Sequence, residues 1–169
     1  MLKQSLLGEF LHEAEKTRKL LQMIPDNALE YRPQPHLWSI AQLASHIAEL
    51  YNWYDVTFNH DSMDMAAYKY DKGDITKGEN ILAKFEINVE AAKHAIEISD
   101  ENNYMNDWKM VMGDSAPLFP PTPKIHVIRE FLFNHLYHHR GELIAHIRAS
   151  GNKVPSLYGN IYEDHQQQQ

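Results

Sequence analysis

The sequence predicts an all-α protein, a four-helix bundle whose helices are joined by long crossover connections. Two observations support this prediction: four segments place apolar residues at helical spacing, and no segment shows a convincing strand pattern. The 169 residues suffice for one domain with a sizeable core. We expect a single domain over residues 1–165 and a disordered tail over residues 166–169, which are all glutamine.

The first two helices have clear boundary signals. The first is predicted over residues 5–24 and ends before Pro25, which cannot continue a helix. The second is predicted over residues 39–58. It begins with Ser39 and Gln42 at the spacing of a capping box, in which the two side chains bond backbone N–H groups of the first turn.

The last two helices also begin with recognisable residues. The third is predicted over residues 76–99, with Thr76 and Glu79 at capping-box spacing. The fourth is predicted over residues 122–150, where the Thr-Pro pair provides an N-cap and a first helical residue. Residues 100–121 contain three prolines and are predicted to be irregular. The connections exceed the roughly 2–8 residues usual between bundle helices, which favours a crossover.

The composition argues against several classes of protein. The net charge is −7 and no basic block occurs, so we expect no nucleic-acid partner. No cysteine is present, so a metal site would have to use histidine, carboxylates and water. No signal peptide and no long apolar segment is evident, so we expect no membrane partner and a cytoplasmic location.

Two histidines interrupt the apolar face of the fourth predicted helix. His135 and His139 are four residues apart, so they lie roughly 40° apart on the helix, on the stripe that also carries Leu132 and Leu143. A buried histidine needs partners for its ring nitrogens. Either a shared metal ion or a hydrogen-bonded core pair would provide them. His138 is rotated by about 100° from His139 and is expected to point off this stripe.

A third histidine, His46, lies at the edge of the core-facing side of the second helix. It is either a polar residue beside the core or a third ligand that meets the other two across the bundle. Three neutral imidazoles leave at least one coordination position open, as catalytic metal sites do.

Two motifs of this chain resemble those of the DinB-like (DinB/YfiT) superfamily. Residues 38–49, WSIAQLASHIAE, are similar to the second-helix motif, and residues 134–143, NHLYHHRGEL, are similar to the fourth-helix motif. Residues 29–33 and 155–159 also resemble the corresponding segments. The resemblance covers nearly the whole chain and implies a four-helix bundle with a long crossover.

The resemblance further implies a divalent metal ion, zinc or nickel, held by His46, His135 and His139. Characterised members of the superfamily include metal-dependent thiol S-transferases and a mycothiol-dependent maleylpyruvate isomerase. Relatives are often dimers, so we expect a homodimer. Glu142 occupies a position where many relatives carry glutamine. A role that the glutamine amide performs in those relatives is therefore not assigned to Glu142.

The expected function is that of a divalent-metal-dependent enzyme acting on a small-molecule substrate. The leading hypothesis is an S-transferase that uses a low-molecular-weight thiol. The alternatives are a metal-dependent hydrolase and a non-catalytic metal-binding or ligand-binding bundle. Glu49 and Glu142 are candidates for orienting a ligand or transferring a proton. The alternative for each is an exposed helical carboxylate.

Overall fold

The computed structural model of the chain describes residues 1–165. The predicted tail, residues 166–169, lies outside the described residues. The structure is helix-rich and includes a small sheet. The helices are α1 (Leu2–Gln22), α2 (Ile40–Leu50), α3 (Trp53–Asn59), α4 (Gly78–Ile98), α5 (Lys124–Val127), α6 (His135–Ala149) and α7 (Tyr162–His165), and the strands are β1 (Ser62–Asp64), β2 (Asp107–Val111) and β3 (Phe119–Pro123).

The second helix begins as predicted but ends early. The Ser39 hydroxyl accepts from the Gln42 N–H at 3.3 Å, and the Gln42 side chain accepts from the Ser39 N–H at 2.8 Å, so the capping box is confirmed. At Asn52 the backbone N–H bonds the carbonyl of Glu49, three residues back, instead of the one four residues back. The chain turns there, and α3 begins as a separate helix.

The capping box predicted at Thr76 is wrong. The Thr76 hydroxyl donates to the Asp74 carboxylate at 2.7 Å, and α4 begins two residues later, at Gly78. The N–H of Gly78 donates to the carboxylate of Asp26, 2.8 Å away on the connection after α1. A contact distant in sequence therefore replaces the local cap, which a pattern of neighbouring residues does not reveal.

The all-α prediction is wrong in one respect, because the structure contains a three-stranded sheet in the order β1-β2-β3. The pair β1/β2 is parallel, and the pair β2/β3 is antiparallel with an irregularity between Trp108 and Met110. Those two side chains are buried. Prolines in β3 are tolerated because β3 is an edge strand, where backbone donors can be missing.

A continuous helical segment extends from Lys124 to Ala149, and its hydrogen-bond pattern changes from α to π and back to α. Residues Ile128–Asn134 form a π-helical segment between α5 and α6. The predicted N-cap is wrong, since the Thr122 hydroxyl bonds the carbonyl of Pro120 and α5 begins at Lys124. The predicted end is confirmed: the helix stops before Ser150, and Gly151 has a φ of 83°, the left-handed conformation suited to glycine.

A single apolar core occupies the interior, and α2 lies at its centre. This helix packs against both α4 and α6, and α1 packs against α4. Every residue of α2 except Gln42 is buried, including His46 and Glu49. The packing of α2 against α6 brings His46 to the histidines of the last long helix. Among residues 1–165, no helix has the length and apolar character needed to cross a membrane.

Candidate metal centre

Three histidines from two helices meet where α2 packs against α6. His46, His135 and His139 each offer one ring nitrogen, and these three nitrogens all lie within 4.8 Å of one another. The ring centroid of His139 is 4.6 Å from that of His46 and 4.6 Å from that of His135. The centroids of His46 and His135 are 5.4 Å apart. The three residues that the sequence singled out are therefore adjacent in space.

The two histidines of α6 point the same ring atom at each other. Nε2 of His139 is 2.8 Å from Nε2 of His135. Two unprotonated nitrogens at this distance would repel, so a proton or a cation must lie between them. Two imidazole ligands at about 2.0–2.1 Å from one metal ion would have their nitrogens about 3.3 Å apart at the tetrahedral angle and about 2.9 Å apart at a right angle. The observed spacing fits either a hydrogen bond between the rings or, after a small adjustment, a shared metal ion.

Glu142 fixes the orientation of one imidazole. Its Oε2 lies 2.7 Å from Nδ1 of His139. Because a carboxylate accepts, Nδ1 carries the proton, and Nε2 of the neutral ring keeps a lone pair for a metal. The other carboxylate oxygen of Glu142 is 3.5 Å from Nε2 of His138, which is exposed as expected. His138, His139 and Glu142 form a second group close enough to hold an ion.

Burial keeps the three imidazoles neutral. It lowers the pKa of His46 to about 4, and the neighbouring His139 and His135 act in the same direction. The pKa of His135 is also lowered to about 4, first by burial and then by His139. Burial lowers the pKa of His139 as well, against the opposing effect of Glu142. At neutral pH all three rings can therefore donate a lone pair to a metal.

Two tryptophans border the histidines. The ring of Trp38 meets His46 edge-on, with centroids 5.1 Å apart, and lies nearly parallel to His139 at 5.8 Å. Trp38 is 46% exposed, so part of its side chain is open to solvent. The ring of Trp53 lies 5.6 Å from that of His135 and is buried. Trp38 lies directly before the capping box of α2, where its spacing to Leu43 predicts a hydrophobic staple and gives no sign of its contact with the histidines.

The π-helical segment ends where the histidine cluster begins. It runs directly into His135, and its Phe131 ring stacks on Trp53 with centroids 4.8 Å apart. Single-turn π segments occur often at functional sites, because the extra residue changes which side chains face the partner helix. Nothing in the hydrophobic pattern of residues 128–134 distinguishes this segment from an ordinary α-helix.

A cavity of about 440 Å³ opens beside His46. Its walls come from α2, from α3 and from the connection after β1, and include Trp38, Trp53 and Tyr70. A smaller cavity of about 270 Å³ is also lined by Trp38, together with His139 and Glu142, among others. The larger volume suits a small molecule.

Glu49 is completely buried, so it is not an exposed helical carboxylate. Neither carboxylate oxygen has a hydrogen-bond partner in the described part of the chain. Burial raises the pKa of Glu49 to about 7, while Lys84 of α4 lowers it and Asp71 raises it. These charges place Glu49 toward α4 and the connection after β1, whereas Glu142 contacts the histidines.

We expect Glu49→Gln to stabilise the protein at pH 8 but not at pH 5. The folded pKa near 7 exceeds the unfolded value near 4.5, so folding binds a proton in this window and stability falls as pH rises through it. The glutamine removes this cost, which amounts to about 3 kcal/mol at pH 8. Urea unfolding at both pH values measures the difference. The exposed Glu90→Gln is the control, and an equal effect of Glu49→Gln at both pH values would contradict the prediction.

The fold and the histidine cluster together define a class: helix-rich proteins with a three-histidine group able to hold a metal ion. The sequence profile of the DinB family matches residues 1–169, so the chain belongs to the DinB family. No curated protein matches the sequence.

Two solved structures share this fold. One is a DinB-like protein from Bacillus cereus, 20% identical, with a TM-score of 0.68; the match covers 92% of this chain and 97% of that one. The other is the DinB-like protein YjoA from Bacillus subtilis, 14% identical, with a TM-score of 0.67, covering 93% and 99%. At these identities the likeness concerns the fold.

Proposed function

We propose that this protein is a divalent-metal-dependent enzyme whose ion, zinc or nickel, is held by His46, His135 and His139. The observation that carries the proposal is the convergence of three neutral imidazoles, that of His46 buried and those of His135 and His139 partly buried, beside a cavity of small-molecule size. The donor set fits the group, since neutral imidazole nitrogen is a preferred ligand of both metals. Three statements remain predictions: that the fold is a four-helix bundle with long crossover connections, that the protein forms a homodimer, and that it is located in the cytoplasm.

The residues around the cluster have separable tasks. Glu142 holds the proton on Nδ1 of His139 and thereby presents Nε2. His46, fixed in the buried face of α2, closes the ligand set from the opposite helix. When bound, such an ion supplies Lewis acidity that lowers the pKa of a thiol or a water at its open position. Trp38 covers the cluster on the side of the two cavities.

Among reactions, we propose transfer of a small thiol to an electrophilic carbon. The chain has no cysteine, so the sulfur must come from a small molecule. The thiol gives up its proton to solvent, its sulfur forms a bond to carbon, and the leaving group departs with the bonding electron pair. A hydrolase would use the same site, with water in place of the thiol.

Metal-loaded protein should accelerate thiol conjugation, and removal of the metal should abolish the acceleration. The assay compares rates for a panel of small thiols with metal-loaded protein, metal-free protein and the His139→Ala variant. His138→Ala is the matched control, because it removes an exposed imidazole from the same helix turn. Rates equal to the uncatalysed reaction for the whole panel would refute the transferase. Metal-dependent ester cleavage without thiol would establish the hydrolase instead.

Metal binding should resist acid more than ordinary histidines would allow. Free histidine begins to gain protons near pH 6.5, whereas His46 and His135 do so only near pH 4. We therefore expect zinc affinity to stay near its neutral value to a lower pH than free histidines would allow, and then to fall steeply, with more than one proton involved. Competition titrations with a chelator measure this, with circular dichroism as a check on folding. A fall that begins at pH 6.5 would show that the histidines are solvated.

A further inference from the structure

We propose that the cavity beside His46 binds the neutral aromatic part of an electrophilic substrate, and that Trp38 selects this substrate by stacking on it. That the substrate is an electrophile rests on the proposed function. That the cavity binds a neutral aromatic group rests on the residues of the cavity alone. It assigns a substrate class to the site and a specificity-determining role to one residue.

The position of Trp38 is the first observation. Trp38 lines both cavities, and its indole contacts the rings of both His46 and His139. A large aromatic side chain that is 46% exposed at this point loses apolar burial unless something covers it. A flat molecule in the larger cavity would cover the indole while lying beside the histidine cluster.

The walls of the larger cavity are the second observation. Three aromatic residues line it, Trp38, Trp53 and Tyr70, together with the apolar side chains of Met65 and Ile75. Tyr70 is 52% exposed and Trp38 is 46% exposed, so aromatic surface of both residues is available to a ligand. Aromatic rings attract other rings in stacked or edge-to-face arrangements, worth about 0.5–1.5 kcal/mol beyond the area that they bury.

The charges around this cavity favour a neutral ligand. Among the described residues that line it, Lys72 is charged and none carries a carboxylate. Glu49 and Asp71 both act on the Tyr70 hydroxyl, so negative charge also lies close to this wall. A charged group moved into apolar walls loses hydration, which costs affinity. Pairing of an anion with Lys72 would recover little of that cost, because Lys72 is exposed to solvent.

Binding of three matched probes tests this inference: neutral 4-nitrobenzyl alcohol, anionic 4-nitrobenzoate and cationic 4-nitrobenzylamine. We expect the neutral probe to bind about tenfold more tightly than either charged one. Trp38→Leu keeps an apolar side chain but removes the ring, and should weaken the neutral probe about fivefold, whereas Trp38→Phe should restore most of the loss. Leu37→Ala is the control. Among the described residues, Leu37 lines the smaller cavity and does not line the larger one.

Calorimetry on zinc-free and zinc-loaded protein separates this inference from the proposed function. Equal affinities for the three probes, no binding, or a Trp38→Leu variant with unchanged affinity would overturn the inference, even if zinc binds. Conversely, a protein that does not bind zinc but prefers the neutral aromatic probe through Trp38 would refute the metalloenzyme and support the cavity assignment. Circular dichroism of each variant confirms that the fold is retained.

Discussion

Replacing His135 with alanine will lower zinc affinity at least about 100-fold, whereas His138→Ala will change it less than about threefold. Loss of a residue that only orients a ligand already costs about 10–100-fold, and loss of the ligand itself costs more. Both residues lie in the same turn of α6, but His135 points at Nε2 of His139 and His138 points outward to Glu142. Titration calorimetry or chelator competition gives both affinities.

The comparison also distinguishes the two groups of potential ligands. One group consists of His138, His139 and Glu142. The other consists of His46, His135 and His139, so His139 belongs to both. A larger loss of zinc from His138→Ala than from His135→Ala would assign the ion to the exposed group. His46→Ala, on the opposite helix, should behave like His135→Ala. Far-ultraviolet circular dichroism shows whether each variant is folded.

Replacing Arg140 with methionine will destabilise the protein by about 3–5 kcal/mol, because it leaves part of a buried charge uncompensated. Arg140 is 2% exposed and donates to the carbonyl of Glu13 at 3.1 Å and to the hydroxyl of Thr17 at 3.3 Å. Its other terminal nitrogen donates to the Glu13 carboxylate and to the Tyr158 hydroxyl. The residue thus ties α6 to α1 and to the segment that follows α6.

Glu13 depends on these partners for its charge. Burial alone would raise its pKa, but hydrogen bonds from Tyr158, Arg140 and Lys16 outweigh burial and lower it. Urea unfolding at pH 7 measures the loss in Arg140→Met. The control is Arg129→Met, since Arg129 forms a half-exposed pair with Glu9 and should contribute less than about 1 kcal/mol. Equal losses in the two variants would show that the Arg140 cluster is no more stabilising than a surface pair.

The sequence determined the long helices because their signals are local. Proline, glycine and capping residues act on the backbone within one turn, as at Ser39 and Gly151. It also determined that His135 and His139 share a face, since helical periodicity fixes the angle between residues four apart. The family assignment agrees with the motifs around His46 and His139.

The tertiary structure decided what depends on distant partners. The strand β2 pairs with β1, more than 40 residues earlier, and no local pattern announces such short strands. The cap at Gly78 comes from Asp26, which lies 52 residues earlier in the chain. Local preferences are weak enough for these contacts to override them.

The site divides in the same way. Residue type and spacing identified His46, His135 and His139, because imidazoles on apolar faces stand out in a sequence. Their mutual distances, the contact of Glu142 with His139 and the burial of Glu49 away from the cluster depend on how α2 packs on α4 and α6. The position of Trp38 in the walls of both cavities depends on that packing too. Packing is a property of several segments at once, so only the folded chain reveals which carboxylate orients a histidine.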